Sequence, residues 1–333
     1  MGVTDTNIPS DVQLLSEATT DSERKIIAIL KVLSESAESL GSITIARELE
    51  RRGIFLSERA VRYHLRITDE RGYTQPLGRD GRTITPLGLD ELRIALAPDQ
   101  VGFILERIEL LAFHTTFDPH KRSGNIPVNI SLFDRDTFRG AIAAMQDAFR
   151  AGLCASELVA TAQEGERLGG IVIPSGKVGF ATVCSVAVNG VLLKHGIPID
   201  SKFGGVLEIK DSKPRRFVAI INYNGTSLDP SEQYILARMT SVNEVVKSGS
   251  GRILANFREI PAPSRSMVED LVMALKETGI GGVYLLGNTS EPVCQIPIGL
   301  NRVGIVLLGG LNPVASAVEA GFQVDNIAES GII

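Results

Sequence analysis

Arg59, Arg62, Tyr63 and Arg66 recur at spacings of three and four residues, so a helix carrying them would display all four on one face. A guanidinium donates two parallel hydrogen bonds, a geometry that fits the acceptor edge of guanine or a phosphate, so this comb suits nucleic-acid recognition. Ser57 stands where it would cap such a helix, and His64 falls between its polar and apolar stripes as a packing or phosphate-contact residue. Downstream, Gly78 to Gly81 reads as a hairpin turn between two short strands, a wing with Arg79 and Arg82 at its tip. Between Ile45 and Thr85 nine arginines face six acids, although the 333-residue chain carries a net charge of −5. The basic surplus is therefore local, and a small basic domain can bind phosphates while an acidic remainder does not.

These residues need a scaffold, and the surrounding pattern supplies one. Ser22 precedes Ile26, Ile29, Leu30, Leu33 and Ala37 at helical spacing, and Ile45 and Leu49 mark a second short helix over 44–52. A third helix is expected over 58–71, with Val61, Leu65 and Thr68 inward and Gly72 as its stop. Three helices followed by a hairpin make a winged helix-turn-helix over 22–88, preceded by a disordered stretch, 1–21. A linker helix is expected over 89–116, opening a larger domain that runs to 333.

That larger domain contains an internal repeat. Lys177-Val-Gly-Phe matches Arg302-Val-Gly-Ile, and the same offset of 125 pairs Gly196 with Gly321, Ile199 with Val324 and Asp200 with Asp325. Gly124-Asn-Ile-Pro-Val-Asn-Ile matches Gly251-Arg-Ile-Leu-Ala-Asn-Phe at an offset of 127, setting Asn129 against Asn256. Two related halves, about 124–209 and 251–333, each read strand, helix, strand, then strand, helix, turn. The expected fold class is α/β or α+β, with a pocket sought at the junction of the halves.

Catalytic signatures are absent: the sequence has no GxGxxG after a strand, no GxxxxGK[ST], no HExxH and no GxSxG. Its four histidines are scattered, which suggests neither a metal cluster nor an enzyme, and no cofactor is expected. Cys154, Cys184 and Cys294 lack metal or disulfide spacing and read as buried free thiols. The charge-free runs 178–193 and 303–318 are too short to span a bilayer, and the first 20 residues carry no signal-peptide pattern, so a cytoplasmic protein is expected. Glycine-rich turns beside Lys177 and along the stretch from His195 through Ser201 and Lys202 to Gly205, with Arg302, could hold a carboxylate ligand. The residues leave open which metabolite is sensed, and equally a dimerisation or protein-interaction module that senses none.

Gly190-Val-Leu-Leu-Lys-His-Gly-Ile-Pro, Phe203-Gly-Gly-Val-Leu-Glu, Gly299-Leu-Asn-Arg-Val-Gly-Ile-Val and Gly309-Gly-Leu-Asn-Pro-Val-Ala together resemble the regulatory domain of the NrpR family of nitrogen-regulatory repressors. That family also places a winged helix ahead of the regulatory domain. The resemblance implies binding to double-stranded operator DNA as a homodimer or higher oligomer, repression of nitrogen-assimilation genes, and release when the effector 2-oxoglutarate accumulates. Some members carry two regulatory domains in tandem, whereas one is visible here.

Overall fold

The computed structural model describes residues 10–36, 38–95 and 103–333, with the side chains of 10–21, 79, 93 and 94 outside that description. The chain divides into two compact units at residues 99/100.

In the first unit, α1 (Ser10–Ser34), α2 (Ser42–Arg51) and α3 (Glu58–Glu70) are followed by the hairpin of β1 (Thr74–Pro76) and β2 (Arg82–Ile84), then by α4 (Pro86–Ala95). Ile29 and Leu33 from α1, Ile45 and Leu49 from α2, and Val61 and Leu65 from α3 are all buried in one cluster, which is what their helical spacing anticipates. Two expectations change. The first helix begins at Ser10, inside the stretch expected to be disordered, and residues 1–9 lie outside the described residues, as does Ala37. The single linker helix over 89–116 is instead two helices, α4 and α5 (Phe103–His114), with 96–102 outside the described residues. Pro86 starts α4 at a position where its missing N–H costs nothing, so the helix includes residues assigned from sequence to the end of the wing.

The second unit continues with β3 (Pro127–Asp134), α6 (Phe138–Arg150), β4 (Val159–Ala162), the small hairpin β5 (Arg167–Leu168) and β6 (Ile171–Val172), β7 (Lys177–Val183), α7 (Val186–Lys194) and β8 (Asp200–Lys210). An intervening segment forms β9 (Lys213–Asn222), α8 (Pro230–Leu236) and α9 (Val242–Ser248). The repeat then returns as β10 (Gly251–Pro261), α10 (Arg265–Glu277), β11 (Val283–Thr289), β12 (Arg302–Leu308), α11 (Asn312–Glu319) and β13 (Val324–Ile332).

The last element of each half is a strand, where the sequence suggested a turn, and it leaves its own half. Strand β8 pairs antiparallel with β10 of the second half, and β13 pairs antiparallel with β3 of the first. The sheets therefore run β13-β3-β7-β4 and β11-β12-β10-β8-β9, each completed by a strand from the other repeat, with every pairing antiparallel. This is the α+β form of the expected class. Gly204 and Gly205, expected in a turn, lie inside β8. A Cβ on Gly205 would stand 2.6 Å from the Phe217 ring of β9, so the missing side chain lets that ring lie across the strand.

Candidate DNA interface and effector site

Ser57 is the N-cap of α3, its hydroxyl accepting from the Ala60 N–H at 3.2 Å. That cap fixes where the helix begins and so which residues share a face. Val61, His64, Leu65 and Thr68 are buried, while Arg59, Arg62, Tyr63 and Arg66 are exposed together. Arg62 reaches back one turn to Glu58 at 2.8 Å, and Arg66 lies over the Tyr63 ring with Glu70 at 3.5 Å. Exposed pairs of this kind contribute about 0.3–0.5 kcal/mol, so they hold the arginines extended without opposing a stronger partner.

Other arginines in the unit turn to structural work. Arg71 forms a two-pronged bond to Glu23 of α1 at 2.8 and 3.0 Å, which raises its pKa. Arg82, expected at the wing tip, folds back instead: its Nε donates to both Asp69 oxygens at 3.1 and 2.9 Å, and Asp69 also accepts from the Thr74 hydroxyl. Position 82 pairs with Pro76 in the hairpin and bridges Leu40, so its backbone is already committed on both sides. The backbone turn at 78–80, which includes Arg79, connects the two strands.

The basic residues proposed from sequence to bind a carboxylate do not converge. Lys177 lies between Asp134 at 2.9 Å and Asp325 at 3.1 Å, and those hydrogen bonds raise its pKa. Lys202 contacts Asp200 at 2.6 Å and Glu259 at 3.5 Å, and Arg302 contacts the same two acids, each at 3.5 Å. The pairs Lys177–Asp325 and Arg302–Asp200 occupy matching places in the two repeats, each tying a half to the strand lent by the other. Their charge is thus neutralised within the fold. His195 sits at the end of α7 with Nδ1 2.8 Å from the Val191 carbonyl, and buried Ser201 accepts from Asn189 Nδ2 at 2.9 Å.

A different polar cluster lies at the junction of the halves. Asn129 and Asn256, matched in the repeat, are both buried there. Asn256 donates to Ser185 at 3.0 Å and accepts from the Tyr223 hydroxyl at 2.6 Å, while Asn129 accepts from the Glu329 N–H at 3.0 Å. Arg258 is fully buried over the Tyr223 ring, 4.8 Å from its centroid. Its hydrogen bonds are long, 3.4 Å to Asn189 Oδ1 and 3.3 Å to the Phe257 carbonyl, and among the described residues no carboxylate lies within 4.0 Å of it. Glu329 is buried in a β-bulge with φ of 50°, and its Oε2 has no hydrogen-bond partner among the described residues. Burial, reinforced by the neighbouring Asp229 charge, pushes its carboxyl up to about 8 against the pull of Arg107 and Arg258.

Sequence reasoning missed Arg258 and Glu329. The available signal was a lone charge inside the apolar run Ile253-Leu-Ala-Asn-Phe-Arg, immediately beyond the matched asparagine. Of the three cysteines, Cys154 and Cys184 are buried and Cys294 is half-buried. Burial raises the Cys184 thiol to about 12, which suppresses the reactive thiolate. No helix among the described residues is long and apolar enough to cross a membrane.

Residues 101–333 match the NrpR regulatory domains NRD1 and 2, and residues 27–92 match the ribonuclease R winged-helix domain. A global nitrogen regulator NrpRI of Methanosarcina mazei is 41% identical over 303 residues, covering 91% of this chain and 93% of that protein. A global nitrogen regulator NrpR of Methanocaldococcus jannaschii is 32% identical over 94% of this chain, which spans 54% of that relative's length. A crystal structure of a nitrogen repressor-like protein from Methanococcus jannaschii superimposes with a TM-score of 0.57 at 26% identity, over 68% of this chain and 92% of that one.

Proposed function

This chain belongs to the NrpR family of nitrogen regulators, and from that premise we propose that it represses transcription of nitrogen-assimilation genes by reading operator DNA through α3. The observation that carries the reading is the exposed face of Arg59, Arg62, Tyr63 and Arg66 on a helix whose opposite side is locked into a winged-helix core. A homodimer would present two such helices to successive major grooves, about 34–36 Å apart. The effector is 2-oxoglutarate, acting in the cytoplasm on the repeat-built unit. By linkage, an effector that prefers an arrangement with misplaced recognition helices lowers DNA affinity, and DNA lowers effector affinity by the same factor.

The test is binding of the purified full chain to its own upstream DNA at fixed salt, with and without 2-oxoglutarate. Specific binding that the metabolite weakens supports the whole reading. Binding that ignores it retains the DNA-reading module and removes this effector. For Arg62→Ala the expected loss of operator affinity is about 1–3 kcal/mol, roughly tenfold or more. Unchanged affinity would remove α3 as the reading helix.

A further inference from the structure

A second observation concerns a groove of about 560 Å³ in the regulatory unit, between α5 and the segment from α7 to β8. Leu105, Ile108 and Ala112 of α5 supply an apolar wall, and Asn189 and Ser201 supply polar groups opposite. Ser201 pairs with Arg258 across the β8–β10 ladder, so the two side chains leave the sheet on the same face. Asn189 lies between groove and guanidinium, donating to Ser201 at 2.9 Å and accepting from Arg258 at only 3.4 Å.

A buried cation without a carboxylate partner is unfavourable unless something anionic offsets it. Every other candidate cation in this unit discussed above already has such a partner: Lys177, Lys202 and Arg302 each contact acids. We propose that this groove binds a small carboxylate-bearing metabolite, whose carboxylate reaches Arg258 when the Asn189 amide turns aside and whose methylenes lie along α5. The inference rests on the effector reading above and gives that effector a place.

The location also supplies a route for regulation. Helix α5 is the first described element of this unit, following 96–102, which connects it to α4 in the DNA-reading unit. It is held against α7 where Thr115, just past its end, meets Gly190; a Cβ on Gly190 would fall 2.3 Å from Thr115 Cβ. A ligand inserted along α5 acts on the element nearest in sequence to the DNA reader.

Titration calorimetry on the full chain with 2-oxoglutarate, succinate and glutamate as probes, together with operator binding, tests the assignment. The variants are Arg258→Lys, Arg258→Met and Leu193→Asp. Leu193 lines the groove at 42% exposure, so its variant places a repelling carboxylate at the mouth without depending on a core change. The expected result is binding to the wild type and at least a tenfold weaker Kd in Leu193→Asp and Arg258→Met, with Arg258→Lys in between. If 2-oxoglutarate releases DNA equally from wild type and Leu193→Asp, the groove is overturned while the effector reading stands. If 2-oxoglutarate does not bind but succinate or glutamate binds the wild type and not Leu193→Asp, the groove stands and the named effector falls. Failure of all three probes to bind the wild type overturns the site.

Discussion

Arg82 and Arg62 are both arginines of a basic winged helix, yet their surroundings give them different work. Arg82 shares Asp69 with Thr74 in a half-buried network, so Arg82→Ala leaves a carboxylate without its cation and should destabilise the unit by about 1–2 kcal/mol. Its salt dependence of DNA binding should stay unchanged; a slope reduced by about one would instead identify Arg82 as a phosphate contact. Glu329 has the opposite character. Its folded pKa of about 8 lies above the ordinary 4.5, so the folded state holds the proton more tightly between those values. The neutral form's stabilising effect is full below about 4.5 and is lost as pH rises through 8, with a slope of up to about 1.4 kcal/mol per pH unit for one proton. Asp229 and Glu232, also raised by burial, add to the same trend. Denaturant melts of Glu329→Gln from pH 5 to 9 should be flatter than those of the wild type, and equal slopes would show that the fold's pH response arises elsewhere.

At the scale of elements, α3 was legible because its determinants are local: Ser57, the apolar stripe and the arginine comb all lie within fourteen residues. Ser57→Ala removes the cap and should cost about 1 kcal/mol in thermal or denaturant melts, with operator affinity falling only as far as the helix frays. The repeat was legible too, since Lys177/Arg302 and Asp200/Asp325 recur at a fixed offset. That these matched residues pair with one another across the halves was not, because identity between repeats does not reveal which copy of a strand completes which sheet. Arg258 was obscured for a related reason: a charge in an apolar strand does not disclose whether it faces solvent or another buried element. The α5–α7 contact makes a further element-scale prediction. Gly190→Ala forces Thr115 aside, an overpacking that costs about 1–3 kcal/mol, and hydrogen exchange in α5 should rise more than in α10.

For the molecule as a whole, the regulatory unit behaves as one body because neither half owns a complete sheet. Without β13, β3 becomes an edge, and without β8, β10 loses its partner and β9 its place. Residues 124–210 and 251–333 expressed as separate chains should each fail to fold and should regain structure only when mixed, as circular dichroism would show; an independently folded half would contradict the exchanged-strand architecture. The same exchange sets an order of events during synthesis. Since β3 pairs with residues 324–332, the first sheet stays unfinished while the ribosome makes everything between, and closes only after β13 has left the exit tunnel. A winged helix completed early is thus tethered for that interval to a regulatory unit not yet able to govern it.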